Sequence, residues 1–182
     1  MYDIIMTRLR GRGIRFVVDA PGTLLLQALQ AKPFFIKPNN HEVGRLFNAR
    51  PETPEDCLPY ARILHDRGAA NVLVSCGKHG SALLDENGEE HITAVPPIRL
   101  VNATGAGDSM LAGFLAKVDE GADYDRALRF ASACGSATAS SKGLAKRETI
   151  DRLAALLDEV MDGKAGEKAS ARAKAGAKKT EG

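Results

Sequence analysis

Residues 101–114, VNATGAGDSMLAGF, hold the most chemically capable groups in this sequence. Gly105 and Gly107 flank Ala106 where a loop enters an apolar helical run. Backbone N–H groups can therefore approach a ligand closely there, and the helix dipole favours an anion. Asp108 follows at once. A carboxylate beside a bound phosphate is costly unless it works as a base, taking a proton from a substrate hydroxyl while the N–H groups hold the transferring phosphoryl group. The plain alternative is a capped helix in which Asp108 complements the dipole. With 18 glycines in the chain, the tetrad alone does not separate the two.

Two other segments carry similar double readings. In IKPNNHE, Asn39 and Glu42 stand three apart at a helix start, a spacing that suits an outer-shell hold on Mg²⁺ and equally an ordinary capping box. In VSCGKHGS, Ser75, Gly77 and Gly80 follow a buried strand directly, with Cys76, Lys78 and His79 between them. The turn has little side-chain bulk and suits backbone contact with a nucleotide; it is also a plain hairpin turn. Lys37 can approach a phosphate or serve as an ordinary loop lysine. His41, His65, His79 and His91 lack metal-ligand spacing and are expected to face solvent. Cys57, Cys76 and Cys134 are odd in number and form no CxxC pair, so reduced, buried thiols are expected rather than a disulfide framework or zinc site.

The elements that position these groups alternate. IRFVVD (14–19) with TLLLQALQA, FFI (34–36) with NNHEVGRLF, and NVLVS (71–75) preceded by PEDCLPYARILHDRG read as strand and helix steps. SALLD and EHITAV around Asn87-Gly88 read as a hairpin. Helices follow from near Gly105, through DYDRALRFASACGSATASS, and over RETIDRLAALLDEVM. The pattern predicts an α/β layered fold with a mainly parallel sheet and flanking helices. The opening YDIIMTRLRGRG reads as the second half of a helix, so the N-terminal part of the fold is expected to be absent.

At 182 residues, 44% hydrophobic and 26% charged, the chain has the composition of one globular domain rather than of a collagen-like or wholly disordered protein. With no Trp and 5% aromatic residues, a stacking platform for single-stranded nucleic acid is disfavoured. No run is long and apolar enough for a bilayer crossing, and a cytoplasmic protein is expected. The net charge of +2 is uneven: residues 163–182 carry six Lys or Arg against two Glu, whereas the rest carries 19 basic and 21 acidic residues. That last segment has no Leu, Ile, Val or Phe, so the division expected is a body over 1–162 and a disordered basic tail over 163–182, with nucleic-acid contact by the tail as the minor alternative.

Taken in order, IKPN with Glu42, VSCGKHGSALL and VNATGAGDSMLAGF resemble the motifs of the ribokinase or PfkB family of carbohydrate kinases, and most closely its sugar-phosphate branch. GSATA (135–139) is similar to the helix that borders the adenine in that family, and the resemblance spans residues 14 to 160. It implies a ribokinase-like fold with ATP and Mg²⁺ as cofactors. Asp108 would be the catalytic base, and the backbone of Gly105, Ala106 and Gly107 the anion hole. Ser75, Cys76, Gly77, Lys78, His79 and Gly80 would hold ATP together with Gly107 and Lys37, and Asn39 and Glu42 would organise the metal. The implied reaction is phosphorylation of a sugar phosphate, with the Ser109-Met110 and Ala112-Gly113-Phe114 context favouring fructose 1-phosphate as acceptor and fructose 1,6-bisphosphate as product. Ala103 and Cys76 depart from the family's usual residues without removing a functional group. Family members are longer, and their N-terminal half supplies most sugar contacts. The implied partners are therefore a sugar-phosphate substrate and either a second copy or a missing N-terminal half, and the alternative is an inactive nucleotide-binding fragment or degenerate kinase.

Overall fold

The computed structural model describes residues 2–9 and 11–177, with side chains described between residues 4 and 163. Its elements in chain order are α1 (Tyr2–Leu9), β1 (Val17–Val18), α2 (Thr23–Leu29), β2 (Phe35–Ile36), α3 (Asn40–Phe47), α4 (Pro54–Asp66), β3 (Asn71–Ser75), β4 (Ser81–Leu84), β5 (Glu90–Thr93), α5 (Ala106–Asp119), α6 (Tyr124–Ala139) and α7 (Arg147–Ala177). A 3-10 turn, Gly77–His79, joins β3 to β4.

The five strands form one sheet in the order β1-β2-β3-β4-β5. β1, β2 and β3 are parallel, and β4 is antiparallel to both β3 and β5. The sheet is therefore mixed, yet four of its five strands run in one direction and only β4 is reversed. The strand expected over 14–19 shortens to Val17–Val18, paired with Phe35 and Ile36. Pro33 and Pro38 bracket β2, and residues that cannot donate to a ladder keep the strand short between them.

Alternation along the strands divides the core. Ile36, Val72, Val74 and Leu84 pack with Leu25, Val43, Cys57 and Leu64 from α2, α3 and α4. On the opposite face Phe35, Leu73 and Leu83 pack with Phe114 and Leu128 from α5 and α6. The register enforces this split, since Val72 stands opposite Leu84 and Leu73 opposite Leu83. Burying each such side chain contributes about 1.5–3 kcal/mol, so a one-residue slip would forfeit both faces at once. The run NVLVS lacks polar alternation because both sides of β3 are covered.

α7 packs on α6 through Leu153, Leu157, Ala133 and Ala137. Its backbone continues as helix to Ala177, across most of the segment expected to be a disordered tail. The Ala, Lys, Glu and Arg that disqualify the segment from a core are also strong helix formers. Its side chains from residue 164 and all of residues 178–182 lie outside the described part.

His91, expected in solvent, is held in the hairpin instead. Nδ1 lies 2.9 Å from Asp125 Oδ1 and Nε2 lies 3.3 Å from Asp85 Oδ2. Ligand atoms of Asp85, Glu89 and His91 lie within 4.8 Å of one another. Both ring nitrogens are engaged, and Asp85 accepts from the N–H groups of Asn87 and Glu89. The cluster is therefore a satisfied hydrogen-bond network around the turn.

Candidate functional site

The three parallel strands deliver polar groups at their carboxyl ends: Asp19 follows β1, Lys37 follows β2, and Ser75 closes β3. This is the edge at which open α/β sheets receive ligands. Asn39 continues the line through an isolated parallel bridge to Ser75, whose N–H donates to Pro38 O at 3.2 Å.

Beside this edge lies a cavity of about 380 Å³, within the size range of small-molecule sites. Ser75, Gly77, Lys78 and Gly80 line it from the glycine turn, Ala106 and Gly107 from the start of α5, and Gly135 and Ser136 from α6. Segments far apart in sequence thus meet at one cavity. Gly80 has φ 112°, and a Cβ there would sit 2.2 Å from Thr93 O, so only glycine lets the turn close against β5. The packing of α5 on α6 likewise needs small residues: a Cβ at Gly113 would meet Cys134 Sγ at 2.5 Å.

α5 opens at Gly105, φ 79°, with no side-chain cap. Among the described residues no acceptor pairs with the N–H groups of Gly107 and Asp108, so the first turn presents free donors. Lys37 lies against this turn. Its side chain is only 7% exposed, and its Nζ is 3.0 Å from Asp19 Oδ2 and 3.1 Å from where a Cβ would stand on Gly107. Lys37, for which the sequence left a phosphate-facing and an ordinary loop role open, is therefore buried and ion-paired. A buried ammonium beside the positive end of a helix is unfavourable in isolation, and Asp19 supplies one compensating charge. The partial positive charge of the helix start is what an anion would relieve. Asp19 carried no signal in the sequence, because only the pairing of β1 with β2 brings it to Lys37.

Other expected residues sit around this centre. Asp108 is in the first turn of α5 and exposed. Asn39 and Glu42 form a complete capping box on α3: Asn39 Oδ1 accepts from Glu42 N–H at 2.9 Å, and Glu42 Oε2 accepts from Asn39 N–H at 2.8 Å. Both are half-buried, and Glu42 Oε1 has no partner among the described residues. The metal-holding and capping readings are therefore compatible, with one carboxylate oxygen serving each. Cys76 and His79 do not line the cavity; Cys76 is buried with its sulfur against Cys57, and His79 is exposed.

A mostly one-directional α/β sheet, with a glycine turn and an uncapped helix start meeting a buried lysine at its carboxyl edge, is an arrangement chemically suited to a phosphate ester. The chain belongs to the pfkB family of carbohydrate kinases, whose family model matches residues 7–150. It is 39% identical over 152 residues to 1-phosphofructokinase of Bacillus subtilis, covering 84% of this chain and 50% of that protein. It is 38% identical to D-tagatose-1-phosphate kinase of Bacillus licheniformis, covering 78% and 46%. Among solved structures it is similar to Escherichia coli phosphofructokinase-2 in complex with substrates and products, with a TM-score of 0.78 and 28% identity over 87% of this chain and 53% of that one. It is also similar to Arabidopsis thaliana ribokinase complexed with ribose and ATP, with a TM-score of 0.73 and 27% identity over 84% and 51%. The chain spans about half the length of the curated relatives it matches. No helix among the described residues is long and apolar enough to cross a membrane.

Proposed function

We propose that this chain carries the nucleotide-binding and catalytic-base part of an ATP-dependent sugar-phosphate kinase, and that its acceptor is fructose 1-phosphate, giving fructose 1,6-bisphosphate. The observation that carries this reading is the buried Lys37 ammonium set against the uncapped start of α5. The names of the two Bacillus relatives support a phosphorylated ketose as acceptor.

In this reading the turn from Ser75 to Gly80 and the α6 face at Gly135 and Ser136 receive ATP, and Lys37 with the N–H groups of the α5 first turn takes its terminal phosphates. Asp108 accepts the proton of the acceptor hydroxyl as that oxygen forms its bond to the γ-phosphorus and the bond to ADP breaks. Asn39 and Glu42 would hold Mg²⁺ through water, since Asn39 Oδ1 and Glu42 Oε2 are engaged in the capping box, and the ion would neutralise phosphate charge. Holding donor and acceptor together supplies up to about 7–11 kcal/mol of such a barrier. A second reading of the same site is nucleotide binding without transfer.

Calorimetric titration of Mg-ATP into residues 1–182 tests the site, with Lys37→Met and Gly107→Val as variants that remove the ammonium and obstruct the first turn. Binding that both variants abolish is the expected result, and ATP affinity unchanged by both would overturn the assignment. A transfer assay with fructose 1-phosphate then separates the two readings.

A further inference from the structure

The sulfurs of Cys57 and Cys76 lie 3.4 Å apart, both buried, although 19 residues separate them. Cys57 belongs to the first turns of α4, near a helix N-terminus whose dipole favours a thiolate. Cys76 stands between Ser75 and Gly77, two residues that line the cavity, and its backbone anchors the glycine turn. Its N–H donates to Gly80 O at 2.8 Å, and its C=O accepts from His79 N–H at 3.0 Å. Cys134, buried in α6, packs at Gly113 in the other helical layer.

We infer that Cys57 and Cys76 are a redox-sensitive dithiol, and that a hydroperoxide oxidises them to a disulfide that ties α4 to the glycine turn and weakens nucleotide binding there. The last clause rests on the function proposed above; formation of the disulfide does not.

The chemistry balances in two steps. With hydrogen peroxide as oxidant, Cys57 gives up its proton and the thiolate attacks one peroxide oxygen; the O–O bond breaks, Cys57 becomes a sulfenic acid, and the departing hydroxide takes up that proton and leaves as water. The Cys76 sulfur then attacks the Cys57 sulfur, the S–O bond breaks, the Cys76 proton passes to the departing hydroxide, and a second water forms. Two thiols are oxidised and one peroxide is reduced. The hydrogen bond between the sulfurs matches this division of labour: it favours ionisation of Cys57, while that bond and burial keep the proton on Cys76. A disulfide requires the sulfurs to close to about 2.05 Å. Both sulfurs sit in the same core, so closing this gap draws Cys76, and with it the turn that its backbone anchors, against α4.

Reduced protein treated with hydrogen peroxide, denatured, and analysed by intact mass and peptide mapping gives the primary result. Loss of two hydrogen atoms, with a Cys57–Cys76 peptide restored by dithiothreitol, is expected. Cys134→Ser should retain the loss, and Cys57→Ser and Cys76→Ser should each abolish it. Irreversible addition of oxygen without disulfide, or a bridge involving Cys134, would overturn the proposal. Mg-ATP titration of the reduced and oxidised forms should show affinity lost on oxidation and recovered on reduction. If reduced protein binds no ATP while the disulfide forms, the nucleotide reading fails and the dithiol stands. If reduced protein binds ATP and the disulfide leaves affinity unchanged, the coupling fails.

Discussion

Thr138 on α6 donates from Oγ1 to Ser109 Oγ on α5 at 2.9 Å, one residue beyond Asp108, and the same hydroxyl accepts from Ala145 N–H at 3.4 Å. One buried side chain thus joins the start of α5, the end of α6 and the loop before α7. Thr138→Val keeps the shape and leaves Ser109 without its donor. The expected cost is about 1–3 kcal/mol of unfolding free energy by urea denaturation. Combining it with Ser109→Ala should cost less than the sum of the single changes, since the hydroxyl that would be orphaned is gone.

Gly113→Ala probes the α5–α6 contact. The added carbon would stand 2.5 Å from Cys134 Sγ and 3.1 Å from Cys134 Cβ, so the helices must separate or Cys134 must leave its rotamer. A loss of about 1–3 kcal/mol is expected, the usual scale of overpacking. Cys134→Ala removes the sulfur, and the double variant should recover most of the loss. Equal melting temperatures for the single and double variants would show that the clash is absorbed elsewhere.

The His91 network gives stability a definite pH dependence. Burial opposes the imidazolium, but Asp125 and Asp85 outweigh it and raise its pKa above the usual 6.5. Between that value and the higher folded one, the native state keeps a proton that the unfolded chain releases. This contribution is therefore full below 6.5 and fades as pH rises through the folded value. Asp85 moves the other way: burial is overcome by the Glu89 N–H, His91 and the Asn87 N–H, and its pKa falls below 3.8. Its contribution is present above 3.8 and fades as pH falls through the lower folded value. His91→Gln should flatten the decline above 6.5 in a denaturation series; an unaltered slope would assign the decline to other groups.

Asp108→Asn separates the two roles open to this residue. If Asp108 is the base, phosphoryl transfer should fall roughly 10²- to 10⁴-fold in any preparation that shows it. Mg-ATP affinity should hold or improve slightly, because a negative charge leaves the neighbourhood of the phosphates. An unchanged rate would return Asp108 to complementing the helix dipole.

What was legible in the sequence was local. NVLVS is β3 residue for residue, Asn39 caps α3, and Asn87-Gly88 turns a hairpin, because each depends on neighbours within a few positions. The glycine turn and the α5 start were recognisable for the same reason, since backbone conformations that need glycine leave their mark in place. What stayed hidden required the sheet. Asp19 meets Lys37 only because β1 lies beside β2, and Cys57 meets Cys76 only because α4 packs beneath the end of β3. His91 appeared ordinary until the hairpin set it beside Asp85 and α6 brought Asp125 to it.

The strands lie in the sheet in the order in which they occur in the chain, so each pairs with its immediate predecessor. The hairpin pairings of β4 with β3 and β5 close short loops, whereas the parallel pairings must close over α2 and over α3 with α4 and are the slower steps. A chain emerging from the ribosome can lay down β1 to β5 one after another before α5 and α6 exist. The cavity, which needs both helices, can be completed only after the strands have been made, and a ligand can engage it only once the sheet is in place.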